Sequence, residues 1–234
     1  MTGILDDRIA VITGASRGIG AAVARAFARE GAHVVLVART VGALEELDDE
    51  IRAAGGSASL VPMDLIDYPA MDRLGAALYE RFGKIDILVA NGGILGTLTP
   101  VHHYDPRLWE QVIATNLTAN QRLVRSLDPL LRKSDAGRAI FVTDDVAHSD
   151  KPFWGAYAVS KAALEAMVRS YAAENSKSTI KANLLNPGAT RTTLRSSAYP
   201  GEDQASVKPP EELVPLFLDL ASPECKRNGD LVNA

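Results

Sequence analysis

The chain has 234 residues, of which 47% are hydrophobic and 23% are charged, a balance typical of soluble globular proteins. Its net charge of −4, with no basic tract, argues against a nucleic-acid partner, and no apolar run approaches the ~18 residues of a membrane span. A single cysteine, Cys225, excludes an internal disulfide and the N-terminus has no signal-peptide pattern, so we expect a cytoplasmic protein without membrane partners.

Short β-branched runs alternate with helical patterns along the chain. The predicted strands are Arg8–Thr13, His33–Ala38, Ser57–Val61, Ile85–Ala90, Arg138–Thr143, Ile180–Leu185 and Leu231–Asn233. The predicted helices are Ile19–Glu30, Val41–Ala54, Ala70–Phe82, Arg107–Lys133, Trp154–Asn175 and Pro210–Ala221. Because strands joined by helices pair in parallel, we predict one α/β domain over residues 1–234, with a doubly wound parallel sheet covered on both faces.

The first predicted strand runs into a glycine-rich turn, Thr13–Gly20, directly before a helix. Glycine lets the backbone approach a pyrophosphate, and a helix N-terminus offers free N–H groups and the positive end of a dipole. The spacing is G-x-x-x-G-x-G, in contrast to the G-x-G-x-x-G of many dehydrogenases. We predict a nucleotide site formed by Gly14, Ser16, Arg17, Gly18, Ile19 and Gly20.

The end of the second strand indicates which nucleotide binds. An NAD site usually has an acidic residue there, to hold the ribose 2′-hydroxyl. This strand instead ends in Ala38-Arg39-Thr40, and Arg17 of the glycine turn could reach the same place. Since guanidinium groups suit phosphate oxygens, we predict that the chain prefers NADP(H) to NAD(H); two solvated surface arginines are the alternative.

Polar and small residues follow the next two strands. Asp64 and Leu65 come after the third strand, and Asn91 and Gly92 after the fourth. Ligands of open α/β sheets bind at these carboxyl ends, so we expect the four residues to contact the cofactor, Asp64 at the adenine edge. Asn116, a poor helix former in the middle of a predicted helix, either faces solvent or interrupts the hydrogen-bond ladder.

Tyr157 and Lys161 lie one turn apart on one face of the predicted helix Trp154–Asn175. A phenol of ordinary pKa ~10 is a poor acid or base at neutral pH. A nearby ammonium favours the phenolate and lowers that pKa. An accidental pair on a solvated face is the alternative for this short pattern alone.

Taken together, these motifs resemble the short-chain dehydrogenase/reductase family. They occur in the family's order and spacing: Thr13–Gly20, Asp64, Asn91-Gly92, Asn116, Tyr157-x3-Lys161 and Pro187-Gly188-x3-Thr192. Within the family the chain looks most similar to compact bacterial carbonyl reductases. The resemblance implies a Rossmann-type sheet of seven parallel strands in the order 3-2-1-4-5-6-7, and a homodimer or homotetramer.

The resemblance also implies a role for each matched residue. Tyr157 would be the general acid and base, and Lys161 would bind the nicotinamide ribose and lower the pKa of Tyr157. Asn116 would hold a proton-relay water. The remaining cofactor contacts would come from Pro187, Gly188, Thr190 and Thr192.

One position departs from the family pattern. The family has a catalytic serine at the end of the fifth strand, thirteen positions before the tyrosine, and Asp144 stands there in this chain. An ionised carboxylate is only an acceptor, so it cannot donate a hydrogen bond to a substrate carbonyl, and it would raise the pKa of Tyr157. Asp144 could instead be held protonated and act as a donor. Alternatively, Thr143 supplies the hydroxyl, or the chain binds NADP(H) with little turnover.

The substrate region is less defined. We expect it to be lined after the fourth strand (Ile94, Leu95, Thr97, Leu98), after the fifth (Val146, His148) and by a mobile lid over Thr190–Lys208. His102 and His103 are expected at the surface, and no spaced His, Cys, Asp or Glu cluster predicts a metal. The sequence thus predicts an NADP(H)-dependent oxidoreductase of a small carbonyl or alcohol, with catalytic residues Tyr157, Lys161, Asn116 and Asp144. The alternative is a catalytically impaired NADP(H)-binding protein with a sensing or assembly role.

Overall fold

The computed structural model describes residues 3–234, and Met1 and Thr2 of the predicted domain lie outside it. Seven parallel strands form one sheet in the order β3-β2-β1-β4-β5-β6-β7, which confirms the predicted fold class and strand order. The strands are β1 (Ile9–Thr13), β2 (His33–Ala38), β3 (Ser57–Pro62), β4 (Ile87–Ala90), β5 (Arg138–Val142), β6 (Lys181–Asn186) and β7 (Leu231–Asn233).

Helices cover both faces of this sheet. They are α1 (Gly18–Arg29), α2 (Val41–Ala53), α3 (Tyr68–Phe82), α4 (Pro106–Ile113), α5 (Ala119–Leu131), α6 (Gly155–Glu174), α7 (Thr193–Ala198) and α8 (Val214–Ala221). One apolar core lies between the sheet and helices α1, α2 and α8. A second core lies on the opposite face, under α3, α5 and α6. Within residues 3–234, none of these helices combines the length and apolarity needed to cross a membrane.

Several predicted boundaries were wrong by a few residues. The fourth strand begins at Ile87, and the Ile85 N–H bonds to the Leu130 carbonyl of α5 instead of to a neighbouring strand. The predicted helix Pro210–Ala221 opens with a 3₁₀ turn before α8 begins. The predicted lid contains a short helix, α7, that the sequence pattern did not reveal, and a bridge between Thr190 and Lys208 closes the segment.

The predicted single helix Arg107–Lys133 is divided into three parts. A π-helical segment, Ala114–Thr118, separates α4 from α5 and contains Asn116. A π segment shifts the hydrogen-bond ladder by one residue, and such segments are frequent at functional sites. The interpretation of Asn116 as a break in the ladder is therefore confirmed, and the solvent-facing alternative is wrong, since Asn116 is buried.

The turn between β1 and α1 is held by close backbone packing. Gly14 and Gly18 have left-handed φ angles of 65° and 56°, which favour glycine. Gly20 has a different role: a Cβ there would overlap the Gly14 carbonyl oxygen and lie 2.8 Å from Nδ2 of Asn91. Gly20 thus brings the first turn of α1 against the end of β1.

We expect Gly20→Ala to destabilise the fold by about 1–3 kcal/mol, because the added methyl overpacks this contact. Gly42→Ala is the matched control, since nothing lies within 4 Å of the Cβ it would add. The control should be neutral or slightly stabilising. Urea unfolding followed by circular dichroism measures both, and equal stability of the two variants would contradict this role of Gly20.

Candidate active site

A cleft of about 670 Å³ opens along the carboxyl ends of the strands. Eighteen of the predicted site residues line it: Gly14, Ser16, Arg17, Gly18, Ile19, Arg39, Thr40, Asp64, Leu65, Asn91, Gly92, Asp144, Tyr157, Lys161, Pro187, Gly188, Thr190 and Thr192. Gly20 and Asn116 do not line it. Both are buried behind the cleft and act on it through their neighbours.

One end of the cleft has the features of a phosphate site. Helix α1 begins there, and its N-cap, Arg17, makes no side-chain capping hydrogen bond. The first N–H groups of a helix lack intrahelical partners, so this uncapped end can receive an anion. Gly18 leaves space beside Thr192, whose Cγ2 would lie only 3.2 Å from an added Cβ. The residues present therefore fit a pyrophosphate.

The turn is tied to the end of β4 by polar contacts. Thr13 Oγ1 accepts hydrogen bonds from the N–H groups of Asn91 and Gly92, at 3.1 and 3.0 Å. The Asn91 amide in turn donates to the Thr13 carbonyl at 3.1 Å. These bonds satisfy the backbone where the two strands end, so Asn91 and Gly92 shape the cleft floor.

At the far edge of the same end, Arg39 lies 3.6 Å from a carboxylate oxygen of Asp64; the Arg39 side chain is largely exposed and that of Asp64 partly so. The other Asp64 oxygen accepts a hydrogen bond from the Ile66 N–H at 3.1 Å. Asp64 is therefore fixed by the loop and by Arg39. The Arg39 guanidinium stays accessible from the cleft, beside Thr40 at the N-cap of α2.

The other end of the cleft brings Tyr157 and Asp144 into contact. The Tyr157 hydroxyl donates a hydrogen bond to Asp144 Oδ2 at 3.2 Å, and Asp144 Oδ1 accepts from the Val146 N–H at 3.0 Å. Burial, and then the Asp144 carboxyl, raise the pKa of Tyr157 well above its usual value. Burial, followed by the neighbouring Asp145, also raises the pKa of Asp144. The sequence-based expectation that Asp144 raises the pKa of Tyr157 agrees with this geometry.

Lys161 is buried one helical turn from Tyr157. Its ammonium donates to the Val142 carbonyl at 2.8 Å and lies 5.6 Å from the centre of the Tyr157 ring. Burial lowers the pKa of Lys161 to about 8, against a smaller opposing effect of Asp144. The ammonium is thus still charged at neutral pH.

Thr143 does not supply the missing hydroxyl. Thr143 lines the cleft, but its Oγ1 donates to Glu165 Oε1 at 2.8 Å in a buried contact, so its proton is already engaged. Glu165 Oε2 lies 2.8 Å from both Arg169 and His148. The interpretation of His148 as a substrate contact is therefore also wrong, because this side chain faces Glu165 and is absent from the cleft lining.

Asn116 holds the segment after β4 by a two-sided contact. Its side chain accepts from the Ile94 N–H and donates to the Ile94 carbonyl, both at 2.9 Å, and also donates to Ser160 Oγ at 3.0 Å. The backbone carbonyl of Asn116 accepts a hydrogen bond from the Asn120 side chain at 2.7 Å. Asn116 therefore connects the cleft floor to α6, the helix that carries Tyr157.

The substrate end combines residues that were predicted, after the fourth and fifth strands and in the segment Thr190–Lys208, with two that were missed, Lys151 and Trp154. The predicted residues Leu95, Thr97 and Leu98 do not line the cleft itself. Val146, Trp154 and Tyr157 form a small apolar cluster, against which Leu95, Leu98, Leu194, Ala198 and Tyr199 pack. Lys151 and Arg195 also line the cleft. Lys151 and Trp154 lie six and three residues before Tyr157, and this closeness in sequence could have indicated them. His102 and His103 are exposed, as expected.

No three His, Cys, Asp or Glu side chains group as a metal site anywhere in residues 3–234. The site is instead a long cleft. A turn that fits a pyrophosphate lies at one end, and the hydrogen-bonded Tyr157 and Asp144 lie beside the buried Lys161 at the other. Parallel α/β proteins bind dinucleotides in this position.

Comparison with known proteins agrees with this arrangement. The family model for short chain dehydrogenase matches residues 8–203. The Escherichia coli K12 protein described as uncharacterized oxidoreductase YciK is 35% identical over 227 residues, 96% of this chain and 90% of that protein.

Two solved structures are similar over the whole chain. A Shigella flexneri 2a short-chain dehydrogenase complexed with NADP is 34% identical, with a TM-score of 0.95, over 100% of this chain and 99% of that one. An Escherichia coli CFT073 short-chain dehydrogenase complexed with NADPH is also 34% identical, with a TM-score of 0.95, over 100% and 98%. This chain therefore belongs to the short-chain dehydrogenase/reductase family of oxidoreductases.

Proposed function

We propose that the protein is an NADP(H)-dependent oxidoreductase that reduces a small carbonyl compound. The observation that carries this proposal is the contact between the Tyr157 hydroxyl and the Asp144 carboxyl, next to the buried Lys161 ammonium. Two groups able to give a proton thus face the same end of a cleft whose other end fits a pyrophosphate.

The cofactor would be held by this chain's own groups along the cleft. The N-terminus of α1 would take the pyrophosphate, Arg39 and Arg17 would take a 2′-phosphate, and Lys161 would take the nicotinamide ribose. When bound, the nicotinamide supplies a hydride for the carbonyl carbon. The similar chains solved with NADP and NADPH support this choice of cofactor.

Tyr157 would give its proton to the oxygen of the reduced substrate. Its raised pKa keeps it protonated at neutral pH, which suits the direction of reduction. The charged Lys161 would stabilise the tyrosinate that remains, because an ammonium in a poorly solvated site interacts strongly with a nearby anion.

Asp144 would act according to its protonation state. As a carboxylate it only accepts, so it retains the Tyr157 hydrogen and repels the developing oxyanion. As a carboxylic acid it has one O–H donor, and it can hydrogen-bond the substrate oxygen in the place of the family serine. Because burial and Asp145 raise its pKa, this acid form extends to higher pH than for an ordinary aspartate.

The second candidate is an NADP(H)-binding protein with little catalysis and a sensing or assembly role. It is favoured by the same Tyr157–Asp144 hydrogen bond when Asp144 is ionised, because that bond withholds the proton from substrate. Loss of one oxyanion donor lowers a rate by on the order of 10²–10³. The two candidates therefore differ in the protonation of one carboxyl group.

The cofactor preference predicts a lower Kd for NADPH than for NADH. Arg39→Ala should weaken NADPH binding about tenfold and should change NADH binding little. Tenfold is the lower end of the range for hydrogen bonds to charged groups, because the Arg39 contact is exposed to solvent. Arg52→Ala is the control, because Arg52 is an exposed arginine of α2 paired with Asp48 away from the cleft. Fluorescence titration of both nucleotides measures this, and tighter binding of NADH by the wild type would contradict the preference.

The role of Asp144 predicts an unusual pH profile. Carbonyl reduction by the wild type, followed as NADPH oxidation, should fall as the pH rises through the raised pKa of Asp144, because the donor form is then lost. Asp144→Asn and Asp144→Ser should lose this dependence, since an amide and a hydroxyl donate at every pH. Above the transition both variants should exceed the wild type, by up to about 10².

A panel of small ketones, aldehydes, diketones and quinones supplies the substrates for this comparison. Lower activity of both variants above the pH transition of the wild type, or the same pH dependence in all three proteins, would contradict the proposed role. Silence of the wild type with activity in Asp144→Ser would instead support the second candidate.

A further inference from the structure

An exposed cation that contacts two aromatic rings lies beside the candidate catalytic tyrosine. The Lys151 ammonium is 4.5 Å from the centre of the Trp154 ring and 4.6 Å from that of Tyr199, and it donates a hydrogen bond to the Tyr199 hydroxyl. The two rings lie 5.8 Å apart, centre to centre. We call these three residues the cation–aromatic clamp.

The clamp is adjacent to the reacting end of the cleft. Trp154 is buried, and its ring contacts that of Tyr157 at 5.9 Å between centres. Tyr199 is half-buried and packs on the same apolar cluster. A substrate whose carbonyl reached Tyr157 would therefore extend its far end along Trp154 to Lys151.

The charge of Lys151 has no partner in the described part of the chain. No carboxylate oxygen within residues 3–234 lies within 4 Å of its ammonium. By contrast Arg195, stacked on the same Tyr199 ring at 3.7 Å, is neutralised by Glu202 through hydrogen bonds of 2.7 and 2.5 Å. Aromatic faces attract an ammonium but carry no net charge, so the clamp keeps one positive charge facing the cleft.

The nearest acidic groups do not cancel that charge. Asp144 is bound by Tyr157 and the Val146 N–H. Asp145 is exposed and makes no ion pair with Lys151. Asp144 is thus engaged at the tyrosine, and neither carboxyl group pairs with the Lys151 ammonium.

We propose that the cation–aromatic clamp binds a carboxylate group of the substrate, so that the protein acts on carbonyl compounds that are also organic acids. This inference rests on the proposed function. An ammonium has three donors, of which Tyr199 occupies one, so the others are available to carboxylate oxygens. The rings of Trp154 and Tyr199 reduce the hydration of the cation and provide flat apolar surface for the body of the substrate.

A matched pair of ketones tests the inference. 4-Acetylbenzoate carries a carboxylate across the ring from its carbonyl group, and 4-acetylbenzamide is its neutral counterpart. We expect the kcat/KM of the wild type to be about tenfold higher for the acid than for the amide. This factor is the lower end of the range for a hydrogen bond to a charged group. Lys151→Met should reduce this ratio towards one, and Lys151→Arg should retain most of it because the charge is kept.

Lys133→Met is the matched control. Lys133 is an exposed lysine whose ammonium also lies over an aromatic ring, that of Tyr79 at 5.2 Å, outside the cleft. This variant should keep the wild-type preference for the acid. An equal kcat/KM for acid and amide in the wild type would overturn the inference, as would an undiminished ratio in Lys151→Met.

Calorimetric titration of the NADPH-loaded protein with benzoate separates this inference from the proposed function. If neither ketone is reduced, benzoate binding that is lost in Lys151→Met and kept in Lys133→Met supports the clamp while the reductase proposal fails. Absence of benzoate binding in that case overturns the clamp as well. A loss of NADPH affinity in Lys151→Met equal to its loss of benzoate affinity would assign Lys151 to the cofactor and also overturn it.

Discussion

Three side chains of helix α6, spaced four residues apart, bind three consecutive residues at the end of β5. Tyr157 contacts Asp144, Lys161 donates to the Val142 carbonyl, and Glu165 accepts from Thr143. Since residues i, i+4 and i+8 share one face of a helix, the whole face is fixed against the strand end. This constraint decides where Tyr157 and Asp144 meet, which partner the Thr143 hydroxyl takes, and how deeply Lys161 is buried.

The same constraint sets the electrostatics of the site. Lys161 is inserted where burial lowers its pKa to about 8, and Asp144 is held where burial raises its pKa. Each group is therefore closer to neutrality than it would be in water, and each partly offsets the other's charge. The resulting site differs from one with a serine at this position, because its capacity to donate a hydrogen bond depends on pH.

Much of the fold and of the cofactor region could be predicted from the sequence. Strand and helix periodicity predicted a doubly wound parallel sheet, and its strand order followed from the family resemblance. The glycine turn and the strand ends predicted the residues that line the phosphate end of the cleft. These features depend on local sequence and on the geometry of parallel strands. Gly20 was predicted to contact the cofactor, but it packs closely against Gly14 instead. A glycine pattern in the sequence does not distinguish these two reasons for a glycine.

The substrate end was predicted less well because it depends on contacts between distant segments. Tyr199 is 48 residues from Lys151, and helix α7 brings the two together. The sequence alone left Thr143 and His148 as possible site residues, and both side chains bind Glu165 of helix α6. A polar residue near a strand end can face either the cleft or the core, and only the packing of α6 decides which.

The most direct test of this account is the protonation state of Asp144 in the NADPH complex. Infrared difference spectroscopy of the wild type against Asp144→Asn isolates the C=O stretch of a protonated carboxyl group. We expect this band at low pH, its loss as the pH rises, and its titration together with the rate of carbonyl reduction. Turnover without the band across the same pH range would contradict the account, because Asp144 would then be an ionised acceptor throughout.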